Sequence, residues 1–491
     1  MYILEQISAM RRQKPDALAM ACNGVGLSYD LFWRRILAAR RFFEASGVAG
    51  AGVAAVWVDS LAEGWIIDLA LRSLGLTTAM LRGGEQLELF AGPDLAWLVT
   101  LASENKRDIA AAIGVSRIET GGGAYAPDAG PPADALPSPL PAPGGHILLT
   151  SGTTGRYKKV LTTVGADAKD IEGRHARYAA LGEGVTPQGP ASILNLFDLG
   201  LWTAAGYQRP MMTWSVGGGV IFRDGPDFHR AFDWPGITHT LTTPHYLSRL
   251  MAQPQDAFAP QKDMQLIIVG GALSKPLANE TRRRLTARIV ISLAATEVGG
   301  WARTVVESDE DLRWYRLDPE RTVEVVDEDR KPLALGRLGE VRVKMRQGGP
   351  AGYLDDASAN ASFFGDGWFY PGDLGVLDGK GRLALFGRVT DIIHVQGDKH
   401  PAEPLERELQ EKLGCDGVCV LSAPDQSGVE KLHVFIESRR VISQAELSQA
   451  ASAVLYGFPG ARFHLVAALP RTANGKVKRQ ALTAAFHQRD A

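Results

Sequence analysis

Residues 148–160 read LLTSGTTGRYKKV, a set of residue types suited to holding an anion. Apolar residues lead into small, hydroxylated and flexible ones, two lysines follow, and the chain turns apolar again. The front half reads as a buried strand, and Gly152 and Gly155 permit a tight turn after it. Backbone N–H groups and the hydroxyls of Thr150, Ser151, Thr153 and Thr154 would line that turn. Such a concavity suits an oxyanion, because many donors converge with no side chain in the way. A P-loop would need G-x-x-x-x-G-K-S/T. Here the two glycines are only three apart and no Gly-Lys-Ser/Thr follows, so the loop faces phosphate without being a Walker loop. Taken alone, the stretch is explained equally well as a polar turn between two elements.

The elements that must position this loop can be read on either side of it. The first hundred residues alternate helical patterns (YDLFWRRILAARRFFEASG) with short apolar runs (GVAAVWV, LAWLVTLA), the signature of βα units around a largely parallel sheet. Residues 121–145 are too rich in Gly, Pro and Ala for an element and read as an exposed connector. More βα-like material follows. After about residue 315, RTVEVVDEDRKPLALGRLGEVRVKM alternates apolar and polar residues, which predicts a small antiparallel region. The hairpin GWFYPGDLGVLDGKGRLALFGR, turning at DGKG, continues it. The last hundred residues mix helices and strands at the size of a small separate domain.

Bulk composition bounds the function classes. The chain has 491 residues, 45% hydrophobic and 22% charged, enough apolar material for more than one core. Its net charge of −2, from 53 basic and 55 acidic residues, gives no reason to expect a nucleic acid partner. Cys22, Cys415 and Cys419 make no disulfide framework, and no second Cys/His pair completes a zinc site. They read as reduced, buried thiols. The N-terminal stretch lacks a signal core, and no uncharged run approaches the ~20 residues that span a bilayer. A cytoplasmic protein with no membrane partner is the expectation.

Five further stretches extend the pattern: VGGALSKPL (269–277), SLAATEVGG (292–300), GWFYPGDLG (367–375), LFGRVTDIIHVQGDKH (385–400) and PRTANGKVKRQAL (470–482). Together with 148–160, in this order, they resemble the motifs of the adenylate-forming superfamily of acyl- and aryl-CoA synthetases, amino-acid adenylation domains and firefly-type luciferases. The resemblance runs from about residue 15 to the end. It implies an α/β fold: a large N-terminal domain (1–387) of mixed βα layers plus a small antiparallel β region, and a small mobile α+β C-terminal domain (388–491). It also implies a two-step reaction. A carboxylate attacks the α-phosphate of Mg-ATP, giving an acyl-adenylate and pyrophosphate, and a thiol then takes the acyl group.

Site residues follow from the same resemblance. Thr150, Ser151, Gly152, Thr153, Thr154, Gly155 and Lys158 would hold the β- and γ-phosphates, Lys158 as a point charge and Thr154 as a catalytic group. Two anions must meet in this reaction, so positive charge and N–H dipoles have to offset their repulsion. Lys159 reads as a solvated neighbour. Gly271, Ala272, Leu293, Ala294 and Thr296 would border the adenine, and Glu297 would place Mg²⁺, which favours a hard oxygen ligand. Asp373 would accept the ribose hydroxyls, with Arg388 its partner for ribose or phosphate. Lys476 would reach from the small domain to bridge the carboxylate and the α-phosphate. As isolated residues, Glu297 would be a surface carboxylate, Asp373 a turn former, and Lys476 a solvated lysine in an NGK turn.

Some positions depart from the family pattern. Leu293 replaces an aromatic residue and Ala294 a glycine, Tyr157 replaces the loop proline, Pro371 replaces a threonine, and Thr390 stands at the hinge, followed by Asp391. NLFDLGLW (195–202) places Asp198 and Trp202 at the spacing that holds an α-ammonium in amino-acid adenylation domains. Asp198 reads equally as a cap for a helix over LGLWTAAGY. Three readings result. The first is an acid–thiol ligase acting on a small carboxylic acid with CoA as acceptor. The second is an adenylation enzyme loading an amino acid or acyl group onto the phosphopantetheine thiol of a separate carrier protein. The third is a non-catalytic nucleotide-binding homologue.

Overall fold

Strands that read as short apolar runs are buried because helices cover both faces of the sheets they form. The computed structural model describes residues 2–90, 95–101, 116–120, 144–151, 157–180, 192–197, 199–223, 225, 227–395, 398–424, 430–456, 458, 460–471, 477–479 and 481–482. The turn 152–156, Asp198, Lys476 and most of the connector (121–143) lie outside the described residues.

Two sheets build the large N-terminal part. In the eight-stranded sheet the strands run in the order Gly299–Val305, Ile289–Ala295, Gln265–Ile268, His239–Thr242, Ile193–Leu196, Gly219–Phe222, Leu18–Cys22, Val25–Ser28. All interior pairings are parallel, and only the two edge strands are antiparallel. The six-stranded sheet runs Ser116–Thr120, Leu95–Leu101, Val53–Trp57, Thr77–Met80, His146–Ser151, Tyr157–Thr162. Its last pair is the antiparallel hairpin that carries residues 148–160. Parallel neighbours need crossovers, and the helices that supply them start on well-matched caps. Ser28, Ser60, Thr203 and Thr243 each accept a backbone N–H three residues on.

One core lies between the sheets. Helices Tyr29–Ala45, Leu61–Ser73 and Ala204–Ser215 bring Trp33, Trp65 and Trp214 together with inward residues of both sheets. A second core lies on the other face of the eight-stranded sheet, under helices Pro244–Met251 and Lys275–Arg284. Gly144 enters so close to the backbone that an added Cβ would lie 1.7 Å from the Leu76 carbonyl oxygen. Only glycine fits there, and it delivers the chain to strand His146–Ser151.

A buried ionic knot ties these layers. Arg72 donates to Asp167 Oδ2 at 2.8 Å and to the Tyr207 hydroxyl, which itself donates to Asp167 Oδ2 at 2.6 Å. His146 Nε2 donates to the Leu201 carbonyl at 2.9 Å, and its Nδ1 lies 2.9 Å from Asp68 Oδ1. The His146 and Tyr207 rings stack at 4.3 Å. Removing one partner from such a buried cluster strands the others. Arg72→Met is therefore expected to cost about 3–5 kcal/mol, measured as a fall in the denaturant midpoint.

The expected antiparallel region is present as a seven-stranded sheet, and the hairpin Asp373–Leu377/Arg382–Arg388 turns at residues 378–381. The helix expected over LGLWTAAGY starts later, at Ala204. Its cap is Thr203, whose hydroxyl accepts from the Gly206 N–H at 2.9 Å. The small C-terminal part has a core of its own, formed by helices Ala402–Leu413 and Gln444–Val454 against strands Gly417–Pro424, Glu430–Glu437 and Ala461–Val466. No described helix is long and apolar enough to cross a membrane.

Candidate active site

In open α/β sheets ligands bind beyond the carboxyl ends of the strands, and a cavity of about 2530 Å³ opens there. Thr150 and Lys158 come to it from the six-stranded sheet. Gly271, Ala272, Leu293, Ala294, Thr296 and Glu297 come from the eight-stranded one. Asp373 and Arg388 come from the antiparallel sheet, and Arg471 and Val477–Arg479 from the C-terminal part. Nearly all the expected nucleotide-binding residues that are described thus converge on one space. Gly152, Thr153, Thr154, Gly155 and Lys476 fall outside the described residues, as does the side chain of Ser151. Arg471 and Val477, on either side of Lys476, pair as a β-bridge.

Thr150 and Lys158 face each other across the hairpin. Lys158 Nζ sits 3.5 Å from the Phe363 ring centroid and 5.0 Å from that of Tyr353. Burial lowers its pKa, against the nearby charges of Glu297 and Asp356. Glu297 is 6% exposed and accepts the Tyr353 hydroxyl at 2.7 Å. Burial raises its pKa, although the Tyr353 hydrogen bond and Lys158 both favour the carboxylate. Cation and carboxylate are thus held close together and largely out of water. Tyr353 and Phe363 lie in none of the motifs, and no pattern in the sequence pointed to them.

One buried carboxylate fits Mg²⁺, which keeps several waters and pairs with substrate phosphates instead of filling a cage of protein ligands. Among the described residues no group of three His, Cys, Asp or Glu side chains could hold a metal. Cys22, Cys415 and Cys419 form no disulfide with one another, and burial pushes Cys415 up to about 11 and Cys419 up to about 12.

At the other end, Arg388 Nε pairs with Asp373 Oδ1 at 3.1 Å, and its Nη1 donates to the Pro371 carbonyl. That acceptor is a main-chain carbonyl, so the contact does not depend on residue 371 being a proline. Off-pattern Leu293 and Tyr157 both line the cavity. Leu293 adjoins a bulge, where the pairing of its strand with Gly299–Val305 shifts register before Ala294. Thr390 donates to Asp391 at 3.2 Å, and Asp391 pairs with Arg479 at 3.0 Å. Arg479 also pairs with Glu406 at 2.6 Å, so the terminal motif is clamped to the hinge segment.

Lys159 is not a solvated neighbour: its Nζ donates to the Leu89 carbonyl at 2.9 Å and pairs with Asp355 at 2.8 Å. It ties the hairpin that carries residues 148–160 to Leu89 and Asp355. Trp202 packs against the inter-sheet core with the Arg82 guanidinium 5.0 Å from its ring centroid. It is not among the residues lining the cavity, whereas its neighbours Leu199 and Thr203 are.

Glu403, also in the lining, lies in the first turn of helix Ala402–Leu413 and packs against Gly387, where an added Cβ would stand 3.1 Å from the Glu403 Cβ. Burial, then the Glu406 charge, push its carboxyl up to about 7. Below the ordinary value of 4.5 the group is protonated whether docked or released, so burial costs no charge. As pH rises through 7 the released, ionised form is favoured. The contact is therefore expected to weaken between pH 4.5 and 7. Limited proteolysis near residue 388 should be faster at pH 8 than at pH 6, and Glu403→Gln should flatten that difference.

The family described as AMP-binding enzyme matches residues 119–354. A 2-succinylbenzoate–CoA ligase of Listeria monocytogenes is 25% identical over 360 residues, 68% of this chain and 69% of that protein. An indoleacetate–CoA ligase of Aromatoleum aromaticum is 29% identical over 364 residues, 70% of this chain and 68% of that protein. Among solved structures, the O-succinylbenzoate coenzyme A synthetase of Bacillus subtilis, in complex with ATP and magnesium ion, superposes with a TM-score of 0.77 at 20% identity. The match covers 97% of this chain and 99% of that one.

Proposed function

We propose, from the premise that this chain belongs to the superfamily of AMP-binding, adenylate-forming enzymes, that it is an AMP-forming ligase joining a small carboxylic acid to a thiol, with CoA as the acceptor. The observation that carries this reading is the convergence of Lys158, Glu297, Asp373, Arg388 and the Val477–Arg479 stretch on one cavity.

In the first step a substrate carboxylate oxygen bonds to the α-phosphorus of ATP, and the bond from that phosphorus to the pyrophosphate oxygen breaks. Lys158, with the loop that precedes it, holds the departing phosphates. Glu297 would help hold Mg²⁺, which would supply positive charge to offset that of the phosphates. Asp373 and Arg388 fix the ribose end, so that the α-phosphate stays in register while its neighbours leave. Lys476 bridges the carboxylate and the α-phosphate and stabilises the charge that builds up there. In the second step the thiol sulfur bonds to the acyl carbon, AMP leaves, and the thiol proton is released.

The boundary we assign lies between 387 and 388. The part beyond it caps the cavity for the first step and turns about Thr390 for the second. Carrier-protein phosphopantetheine is chemically the same thiol as that of CoA, so the acceptor assay distinguishes the two.

The test is carboxylate-dependent exchange of labelled pyrophosphate into ATP, with pooled fatty, aryl and amino acids, followed by thioester formation with CoA. Exchange in one pool and a CoA thioester are expected. ATP binding with no exchange in any pool would sink the proposal.

A further inference from the structure

His146 opens the strand whose Leu149 and Thr150 line the cavity, and at the rise of a strand it lies about 13 Å from Thr150. It is fully buried, and no step of the proposed reaction uses it. Its ring is held from several sides. Thr78, directly paired with it on the neighbouring strand, places Oγ1 2.9 Å from Nδ1. Asp68, from helix Leu61–Ser73, places Oδ1 2.9 Å from the same nitrogen and accepts the Thr78 hydroxyl at 2.5 Å. Tyr207, from helix Ala204–Ser215, stacks on the ring face at 4.3 Å. The last contact reaches toward the cavity: Nε2 donates to the Leu201 carbonyl at 2.9 Å. A carbonyl can only accept, so this nitrogen carries the hydrogen.

Leu201 sits in a loop that builds another wall of the cavity. Leu199 and Thr203, on either side of it, line the cavity, and Ala204 and Gln208 continue the lining along the helix. None of them belongs to the motifs that account for the nucleotide, so this wall is left to face the acid. The loop is seated tightly on the helix. The Thr203 N–H donates to the Gly200 carbonyl at 2.9 Å, and an added Cβ at Gly206 would stand 2.3 Å from that same oxygen. Loop and helix therefore form one piece, and the His146 bond joins that piece to the phosphate strand.

We propose that His146 is a positioning residue for adenylation: through the Leu201 carbonyl it sets the distance between the wall that faces the acid and the hairpin that holds the phosphates. The proposal rests on the acid-activating reading above. The carboxylate must come within bonding reach of the α-phosphorus. A displacement of about 1 Å, even one caused far from the chemistry, can cost about 100-fold in rate.

The test uses two substitutions that divide the ring between its partners. The amide of His146→Gln reaches the place of Nε2 and keeps a donor for Leu201, but it leaves Asp68 without its imidazole. The shorter amide of His146→Asn stands at the place of Nδ1, keeps Asp68 and loses Leu201. Both kcat and KM of pyrophosphate exchange are measured with the acid that supports it, alongside the denaturant midpoint. His146→Asn should lose about 100-fold in kcat with the KM for ATP unchanged. His146→Gln should lose only a few-fold, although it is the less stable of the two because a buried carboxylate has lost its partner. A turnover that ranks with stability, or that falls equally in both variants, overturns the proposal. If either variant does not fold, Gly200→Ala takes its place. An added Cβ there would stand 2.3 Å from the Trp202 ring and 2.6 Å from Leu61 Cδ2, which displaces the loop while His146 stays. Its kcat should fall with the KM for ATP unchanged, and a wild-type kcat overturns the proposal. If no acid supports exchange in the wild type, the acid-activating reading is at fault, and hydrogen exchange of the Thr203 and Tyr207 amides decides this proposal separately. Exchange about tenfold faster in His146→Asn than in His146→Gln supports it, and equal exchange overturns it.

Discussion

Lys476→Ala is expected to lower pyrophosphate exchange by a factor of about 100 to 1000, the range for removing one donor aimed at developing charge. Thioester formation from supplied acyl-adenylate should fall much less. The asymmetry is physical. In the first step two anions are forced together at phosphorus, and a cation shared between carboxylate and α-phosphate is needed most as the new bond forms. In the second step the acyl carbon is already activated, and AMP leaves as a good leaving group. The chain on either side of Lys476 lines the cavity, with Arg471 paired to Val477 and Arg479 clamped to Asp391 and Glu406. Paired single-turnover measurements of the two half-reactions would check this. Equal losses in both would show that the lysine holds the domain in place and does not act on the charge.

Glu297→Gln is the second large effect, an expected loss of about 100-fold in exchange with a higher Mg²⁺ requirement. The amide keeps an acceptor for the Tyr353 hydroxyl, now 2.7 Å from Glu297, so the fold should survive. What is lost is the negative charge. Burial raises the pKa of this carboxyl above its ordinary value of 4.5, and its protonated form cannot hold the ion. Wild-type exchange should therefore fail, as pH is lowered, above the usual carboxylate range, and that acid limb should vanish in Glu297→Gln. A magnesium titration at two pH values measures both effects. An unchanged Mg²⁺ requirement would remove Glu297 from the metal's surroundings.

The residues around Glu297 were unevenly legible in the sequence. Glu297, Asp373 and Arg388, which line the cavity, were legible because each sits in a short motif. Tyr353 and Phe363, which enclose Lys158, were not. They lie about 200 residues downstream, and an aromatic side chain carries no local mark of the cation it will cover. The helix after Asp198 was misplaced for a similar reason. Asp198 and Thr203 are both good caps, and the choice of Thr203 was made by packing against the inter-sheet core.

By itself the sequence determined the order of the βα units, the change to antiparallel strands, the hairpin that carries residues 148–160 and several of the charged groups that meet in the cavity. Those are local properties: side-chain period, turn chemistry, and the residue types of short motifs. The tertiary structure alone decided that Lys159 would be a clamp, that Trp202 would lie outside the cavity lining, and that Tyr353 and Phe363 would enclose Lys158. Each of these joins residues far apart in the chain. Such pairings depend on how helices seat on sheets, and that is settled by burial of whole faces and not by the residues near either partner.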